Sequence, residues 1–143
     1  MGKKPVILLL DDETDYRELC SVVLEQVGCK CLHATNDQEA LNLLNKHHVD
    51  LLIQDVARPN SSGVEFYVVL KADKKLRHVP VLFCTGYPRS ELATIQEDTR
   101  VFGDDYFGKQ NFDLDNFLAK IKEMLVRHKK PLPASLNLAL SKV

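Results

Sequence analysis

Asp11 and Asp12 close the apolar run Val6–Leu10, and Asp55 closes the run Leu51–Gln54. Four residues of apolar and amide character, ended by a carboxylate, Pro59 and a Ser61-Ser62-Gly63 turn, read as a short buried strand. Asp55 then stands at a strand's carboxyl end, the side on which open α/β sheets hold their ligands. If the two strands lie side by side in a parallel sheet, three carboxylates converge on one edge. Like charges that close repel one another. At least one pKa must rise unless a cation neutralises the group, and hard Mg2+ with its preference for oxygen suits such a cluster. Thr85, at the end of Val81–Cys84, and Lys109, after the short segment Gly103–Gly108, add a hydroxyl and an ammonium to the same rim. Each has a plainer reading alone: an acid pair capping a helix, an acid opening a turn, a strand-end threonine, a solvated lysine. Their joint occurrence at strand ends is much harder to reach by accident.

The elements that must position these groups alternate along the chain. Tyr16, Leu19, Cys20, Val23, Leu24 and Val27 recur at helical spacing from Thr14 to Val27, and Gly28 supplies the stop. A second strand is expected over Cys29–Ala34. Thr35-Asn36-Asp37, with Glu39 three residues after Asn36, forms a helix start close to a capping box. Gly63 to Lys71 carries Phe66, Val69 and Leu70 at helical spacing, Val81–Cys84 is a fourth buried strand, and Arg89–Arg100 is a short, weakly anchored helix. A fifth strand lies within Gly103–Gln110. Leu114, Phe117, Leu118, Ile121 and Leu125 then mark a last helix, capped by Asp113 and stopped by Pro131 and Pro133. Five strands alternating with five helices imply βαβ crossovers and a parallel sheet covered on both faces.

At 143 residues, the chain has the length of one domain, and a net charge of -1 gives no global case for binding nucleic acid or an anionic membrane. No signal peptide and no run long enough to span a membrane is recognisable, so the cytoplasm is the expected location. Cys20, Cys29, Cys31 and Cys84 fall in apolar segments without paired CxxC spacing and read as buried reduced thiols. Leu132, Leu136 and Leu140 recur every fourth residue, as a short docking helix would require. A loose tail is the expectation there, because terminal residues are commonly disordered.

The segment Leu8–Glu13, the stretch from Asp55 to Pro59 with Gly63, the strand end Pro80–Gly86 and Tyr106–Lys109 together resemble the receiver domain of two-component response regulators. The resemblance covers residues 5 to about 128, with four separated motifs in the family's order. It implies a flavodoxin-like doubly wound sheet of strand order 2-1-3-4-5 with five helices. Residues 1–128 would form the receiver domain, and 129–143 a C-terminal tail or the start of a linker. Asp55 matches the aspartate that takes a phosphoryl group from a histidine kinase. Asp12, Asp55 and the backbone carbonyl of Ala57 match the Mg2+ ligands, and Asp11 matches the acid that reaches the ion through water. Thr85 and Lys109 match the residues that bind phosphoryl oxygens, and Tyr106 matches the aromatic that turns inward as the partner surface changes. Tyr87, two residues past Thr85, stands where it would shield the phosphoryl group from water. The implied partners are a sensor histidine kinase or phosphotransfer protein and a downstream protein target, with dimerisation on phosphorylation left open. No turnover of an external substrate and no direct contact with nucleic acid or membrane is expected.

One departure is plain. Gln110 follows the lysine where the family usually has proline, commonly after a cis peptide, and a cis bond to Gln would cost about 2.5–4 kcal/mol. Gly103 to Lys109 also fits G-x-x-x-x-G-K, but a P-loop needs Ser or Thr at the position of Gln110, and Asp104-Asp105 would repel phosphates. A haloacid dehalogenase-type phosphohydrolase would need Asp-x-Asp, which the contiguous Asp11-Asp12 does not supply. The remaining alternative is a receiver-fold interaction module that works without phosphorylation.

Overall fold

The computed structural model describes residues 4–55, 57–58, 61–86, 104–109, 112–133 and 135–136, with the side chains of 57, 58, 61–64 and 85 outside that description. In chain order, it contains β1 (Val6–Leu10), α1 (Thr14–Gln26), β2 (Lys30–Ala34), α2 (Asp37–Lys46) and β3 (Leu51–Gln54). Two-residue strands β4 (Ala57–Arg58) and β5 (Ser61–Ser62) follow, then α3 (Gly63–Ala72), β6 (Val81–Thr85), β7 (Asp105–Gly108) and α4 (Leu114–Arg127).

Five strands form one sheet in the order β2-β1-β3-β6-β7, every neighbouring pair parallel. Counting only the sheet strands, this is the expected order 2-1-3-4-5. Because strand side chains alternate in direction, each strand feeds two cores. Ile7, Leu9, Leu51, Ile53, Leu82 and Cys84 face α1 and α4, where Leu24, Phe117, Ile121 and Leu125 meet them. Leu8, Leu10, Leu52, Val81 and Phe83 face the other way, against Ala40 and Leu44 of α2 and Phe66 and Leu70 of α3. The central strands β1, β3 and β6 are buried on both faces, which explains their nearly unbroken apolar runs, whereas the edge strands β2 and β7 are only partly buried.

Two helix starts follow the sequence closely. Asn36 caps α2 by accepting from the Glu39 N–H at 2.9 Å, and Glu39 reaches back to the Thr35 N–H at 3.1 Å, a box displaced by one residue from the standard pattern. Asp113 caps α4 by accepting from the Asp115 and Asn116 N–H groups. The helical stripes are narrower than the spacing implies: Leu19, Val69 and Leu114 are exposed. A flat sheet covers only one side of a helix, and on α1 it is Ser21, not Leu19, that lies inside that contact. The fourth of the five expected helices, 89–100, lies outside the described residues, which contain four helices.

The described part of the C-terminal segment, to residue 136, is packed rather than loose. Lys129 adopts φ 57° after α4, and Leu136 is completely buried in the α1/α4 core. Leu132 packs on the same cluster, and the Leu136 N–H donates to the Pro133 carbonyl at 3.1 Å. The segment closes over the turn after α1, where Gly28 sits at φ +102° and a Cβ added there would lie 3.0 Å from the Pro133 Cβ. Leu132 and Leu136 anchor the described part of this segment, while Leu140 lies outside the described residues. Leu136→Ala is therefore expected to lower stability by about 2–3 kcal/mol in urea unfolding, whereas a free tail would give no change.

Candidate phosphoacceptor and metal site

The parallel register brings the acids together. Leu10 lies opposite both Ala34 and Gln54, the Asp11 N–H donates to the Ala34 carbonyl at 3.1 Å, and the Asp55 N–H donates to the Leu10 carbonyl at 3.0 Å. Asp11 and Asp55 thus leave the sheet side by side at its carboxyl edge, with exposures of only 5% and 6%, while Asp12 is exposed at the rim. Candidate ligand oxygens of Asp11, Asp12 and Asp55 all lie within 4.8 Å of one another.

Lys109 arrives from the far side of the sheet. Thr85 pairs with Gly108 at the end of β6 and β7, so the residue after Gly108 emerges at the same edge. Its Nζ stands 2.8 Å from Asp11 Oδ2, 3.1 Å from Asp55 Oδ2 and 3.5 Å from Glu13 Oε1. Burial disfavours the charge on Lys109, but hydrogen bonds and attraction from Asp11 and Asp55 outweigh it and hold the ammonium above the ordinary lysine value. Burial likewise raises the Asp11 carboxyl, against the pull of Lys109 and the Glu13 N–H, which donates to Asp11 Oδ1 at 2.9 Å. Two ionised carboxylates about 4 Å apart repel by roughly 4 kcal/mol at an effective dielectric near 20. With Asp11, Asp12, Asp55 and Glu13 gathered around one ammonium, carboxylates outnumber the cation, an imbalance that a divalent cation would relieve. The all-oxygen donor set fits Mg2+, which takes few protein carboxylates and keeps its waters.

Ala57 lies in β4, paired with Ser62, two residues beyond Asp55. Thr85 ends β6 at the same edge, though its side chain lies outside the described residues, as do Tyr87 and Gln110. Tyr106 is half-buried on β7, opposite Phe83 and packed on the α2/α3 core. Asp11, Asp12, Asp55 and Lys109 are therefore brought together, with Thr85 and Ala57 at the same end of the fold.

Three neighbours escaped the sequence reading. Glu13 contacts Lys109, Tyr16 sets its ring under the Lys109 ammonium at 4.5 Å, and Arg17 donates to the Asp11 carbonyl at 2.7 Å and to His33 Nδ1 at 3.1 Å. All lie within five residues of Asp12, at the cap and first turn of α1, so closeness in sequence to the acid pair was the available signal. The thiols behave as read: all four are free, and burial pushes Cys20, Cys29 and Cys31 up to about 12. Cys31 is only half-buried. Among the described residues, no helix is long and apolar enough to cross a membrane.

Residues 7–122 match the family model of the response regulator receiver domain. The chain belongs to that family. It is 33% identical over 126 residues to the phosphate regulon transcriptional regulatory protein PhoB of Pseudomonas aeruginosa, covering 85% of this chain and 52% of PhoB. It therefore spans about half the length of the PhoB regulators it matches. The polar-differentiation response regulator DivK of Brucella ovis is 30% identical over 122 residues, covering 85% of this chain and 96% of DivK. The response regulator TrrA of Thermotoga maritima, solved in complex with Mg(2+)-BeF, superposes with a TM-score of 0.71 at 29% identity, over 85% of this chain and 99% of that one. The chemotaxis response regulator CheY4 of Vibrio cholerae shares the fold with a TM-score of 0.74 at 23% identity, over 86% of this chain and 100% of that one. Receiver domains are signalling modules of two-component systems rather than metabolic enzymes, and they work with histidine kinases and downstream targets.

The charge balance of this receiver domain predicts saturable Mg2+ binding in calorimetric titration. Asp12→Asn should weaken it at least tenfold, equivalent to about 1.4 kcal/mol.

Proposed function

We propose that Asp55 is the phosphoacceptor of this receiver domain and that its phosphorylation by a histidine kinase or phosphotransfer protein alters a partner-binding surface. The observation that carries the reading is the Lys109 ammonium 3.1 Å from Asp55 Oδ2, in an acid cluster at the sheet's carboxyl edge whose Asp11 and Asp55 are buried. An Asp55 oxygen forms the new bond to phosphorus as the bond from phosphorus to the donor's imidazole nitrogen breaks, and the donor histidine leaves with its electron pair. Asp12, Asp55 and the Ala57 carbonyl would hold Mg2+, with Asp11 reaching it through water. When bound, that ion neutralises the acids and the incoming phosphoryl charge.

The chain's own groups do the rest. The backbone bond from the Asp55 N–H to Leu10 holds the nucleophile at the strand end. Lys109, already seated between Asp11 and Asp55, is in place to take phosphoryl oxygens as charge accumulates there. Thr85 is assigned the remaining oxygen, and Tyr106 the inward turn that follows when Thr85 is drawn toward it. Tyr87 is assigned the shielding of the acyl phosphate from water. No external substrate is turned over: the phosphoryl group ends on Asp55 and leaves by hydrolysis.

Incubation with acetyl phosphate and Mg2+ should add one phosphoryl group per chain, detected by intact mass and mapped to Asp55. The addition should disappear in Asp55→Asn and when the metal is chelated. A wild-type chain that gains no mass and does not respond to beryllofluoride would instead support an interaction module that works unphosphorylated.

A further inference from the structure

Lys109 is the hinge of the site's electrostatics, yet its three carboxylate partners lie on the acid cluster and leave the rest of the ammonium's surroundings to other groups. The ring of Tyr16 fills one of those sides, 4.5 Å from Nζ to centroid, a distance at which a cation is held by the negative face of an aromatic ring. Few lysines are so enclosed: the Lys109 side chain is only 9% exposed.

Tyr16 is itself fixed from two directions, by Cys84 and by Phe112. Its hydroxyl oxygen lies 2.8 Å from Cys84 Sγ, on the strand residue just before Thr85. Burial drives the Tyr16 phenol far above its ordinary value and raises the Cys84 thiol as well, so both keep their protons and neither adds a negative charge beside Lys109. Phe112 meets the Tyr16 ring edge-on, with centroids 5.9 Å apart at 81°. Phe112 also donates its N–H to the Lys109 carbonyl at 3.1 Å and stacks against Phe107 and Phe117 of the core. The loop carrying Lys109 and the ring facing its tip are therefore parts of one aromatic cluster.

We infer that Tyr16 is a positioning residue for phosphorylation: its ring holds the Lys109 ammonium over the Asp11–Asp55 pair, and its bond to Cys84 fixes that ring relative to the end of β6. This rests on the phosphoacceptor reading of Asp55 and assigns within it a task to a residue of α1 that touches neither metal nor phosphoryl group. Without the ring, Lys109 is free to shift from the buried Asp11–Asp55 pair toward Glu13, the most exposed of its three partners and already 3.5 Å away. An ammonium that must be recaptured for each transfer lowers the rate, because part of the ordering is no longer paid in advance.

The test is a double-mutant cycle read as the rate of Asp55 phosphorylation by acetyl phosphate at saturating Mg2+. Tyr16→Leu should slow the rate about fivefold to tenfold with Mg2+ affinity unchanged. Tyr16→Phe, which keeps the ring, should recover most of it. In a Lys109→Ala background, Tyr16→Leu should add nothing, since the group it positions is gone. Equal rates for wild type and Tyr16→Leu, a Tyr16→Phe as slow as Tyr16→Leu, or the same slowing with and without Lys109 would each overturn the assignment while leaving the phosphoacceptor reading intact. A wild-type chain that takes no phosphoryl group overturns that reading, and this one with it.

Discussion

One ammonium set between two nearly buried carboxylates, at 2.8 and 3.1 Å, is the interaction on which the carboxyl edge of the sheet depends. Asp11 and Asp55 come from neighbouring strands whose register gives them no room to separate, and burial removes most of the water that would screen them. Lys109 must therefore enter this space, and the chain commits a strand, an aromatic cluster and a helix turn to bringing it there. The charge left over after Lys109 is what makes the edge receptive to a small divalent cation. A site tense with like charge in the resting state is also one whose geometry responds when charge is added, which is the property a signalling domain needs.

The fold serves this edge in a simple way. Every sheet strand runs in the same direction, so residues just beyond β1, β3 and β7 and the last residue of β6 collect at one end although they are far apart in sequence. The opposite end is given over to closure. Lys71 of α3 bonds Asp104 Oδ2 at 3.0 Å, and the same carboxylate accepts from the Val81 N–H at 2.7 Å, joining the starts of β6 and β7 to the end of α3. Asp105 accepts from Lys120 at 2.9 Å and Arg127 at 3.0 Å, fastening β7 to α4. These attractions outweigh burial and lower the Asp105 carboxyl. Ion pairs fasten one end of the sheet, and the acid cluster occupies the other.

Much of this was legible in the sequence, and the parts that were not have physical reasons. Short apolar runs ended by Asp11, Asp55 and Thr85 located the strands because parallel sheets bury both faces. Asn36 and Asp113 marked helix starts because a side-chain oxygen there meets free N–H groups. Leu19, Val69 and Leu114 keep the helical period yet stay exposed, because period alone does not set how wide a stripe the sheet covers. The β4–β5 pairing looked like a plain turn, since two residues per strand leave no pattern to detect. Leu136 had the spacing of a docking element, but its burial depends on packing against the α1/α4 core, which the local pattern does not reveal. Tyr16 reads only as apolar in the helical pattern, although a hydroxyl on a half-buried ring one turn from an acid pair asks for a partner, and Cys84 is that partner.

Lys109→Met tests the central electrostatic claim most directly, through thermal unfolding with and without Mg2+. Methionine keeps the bulk of the side chain and removes its charge. The expected result is a metal-free variant that melts well below wild type and a larger gain in melting temperature from Mg2+ than wild type shows, because the ion then relieves the whole acid cluster. A metal-free variant as stable as wild type, with no greater gain from Mg2+, would contradict it.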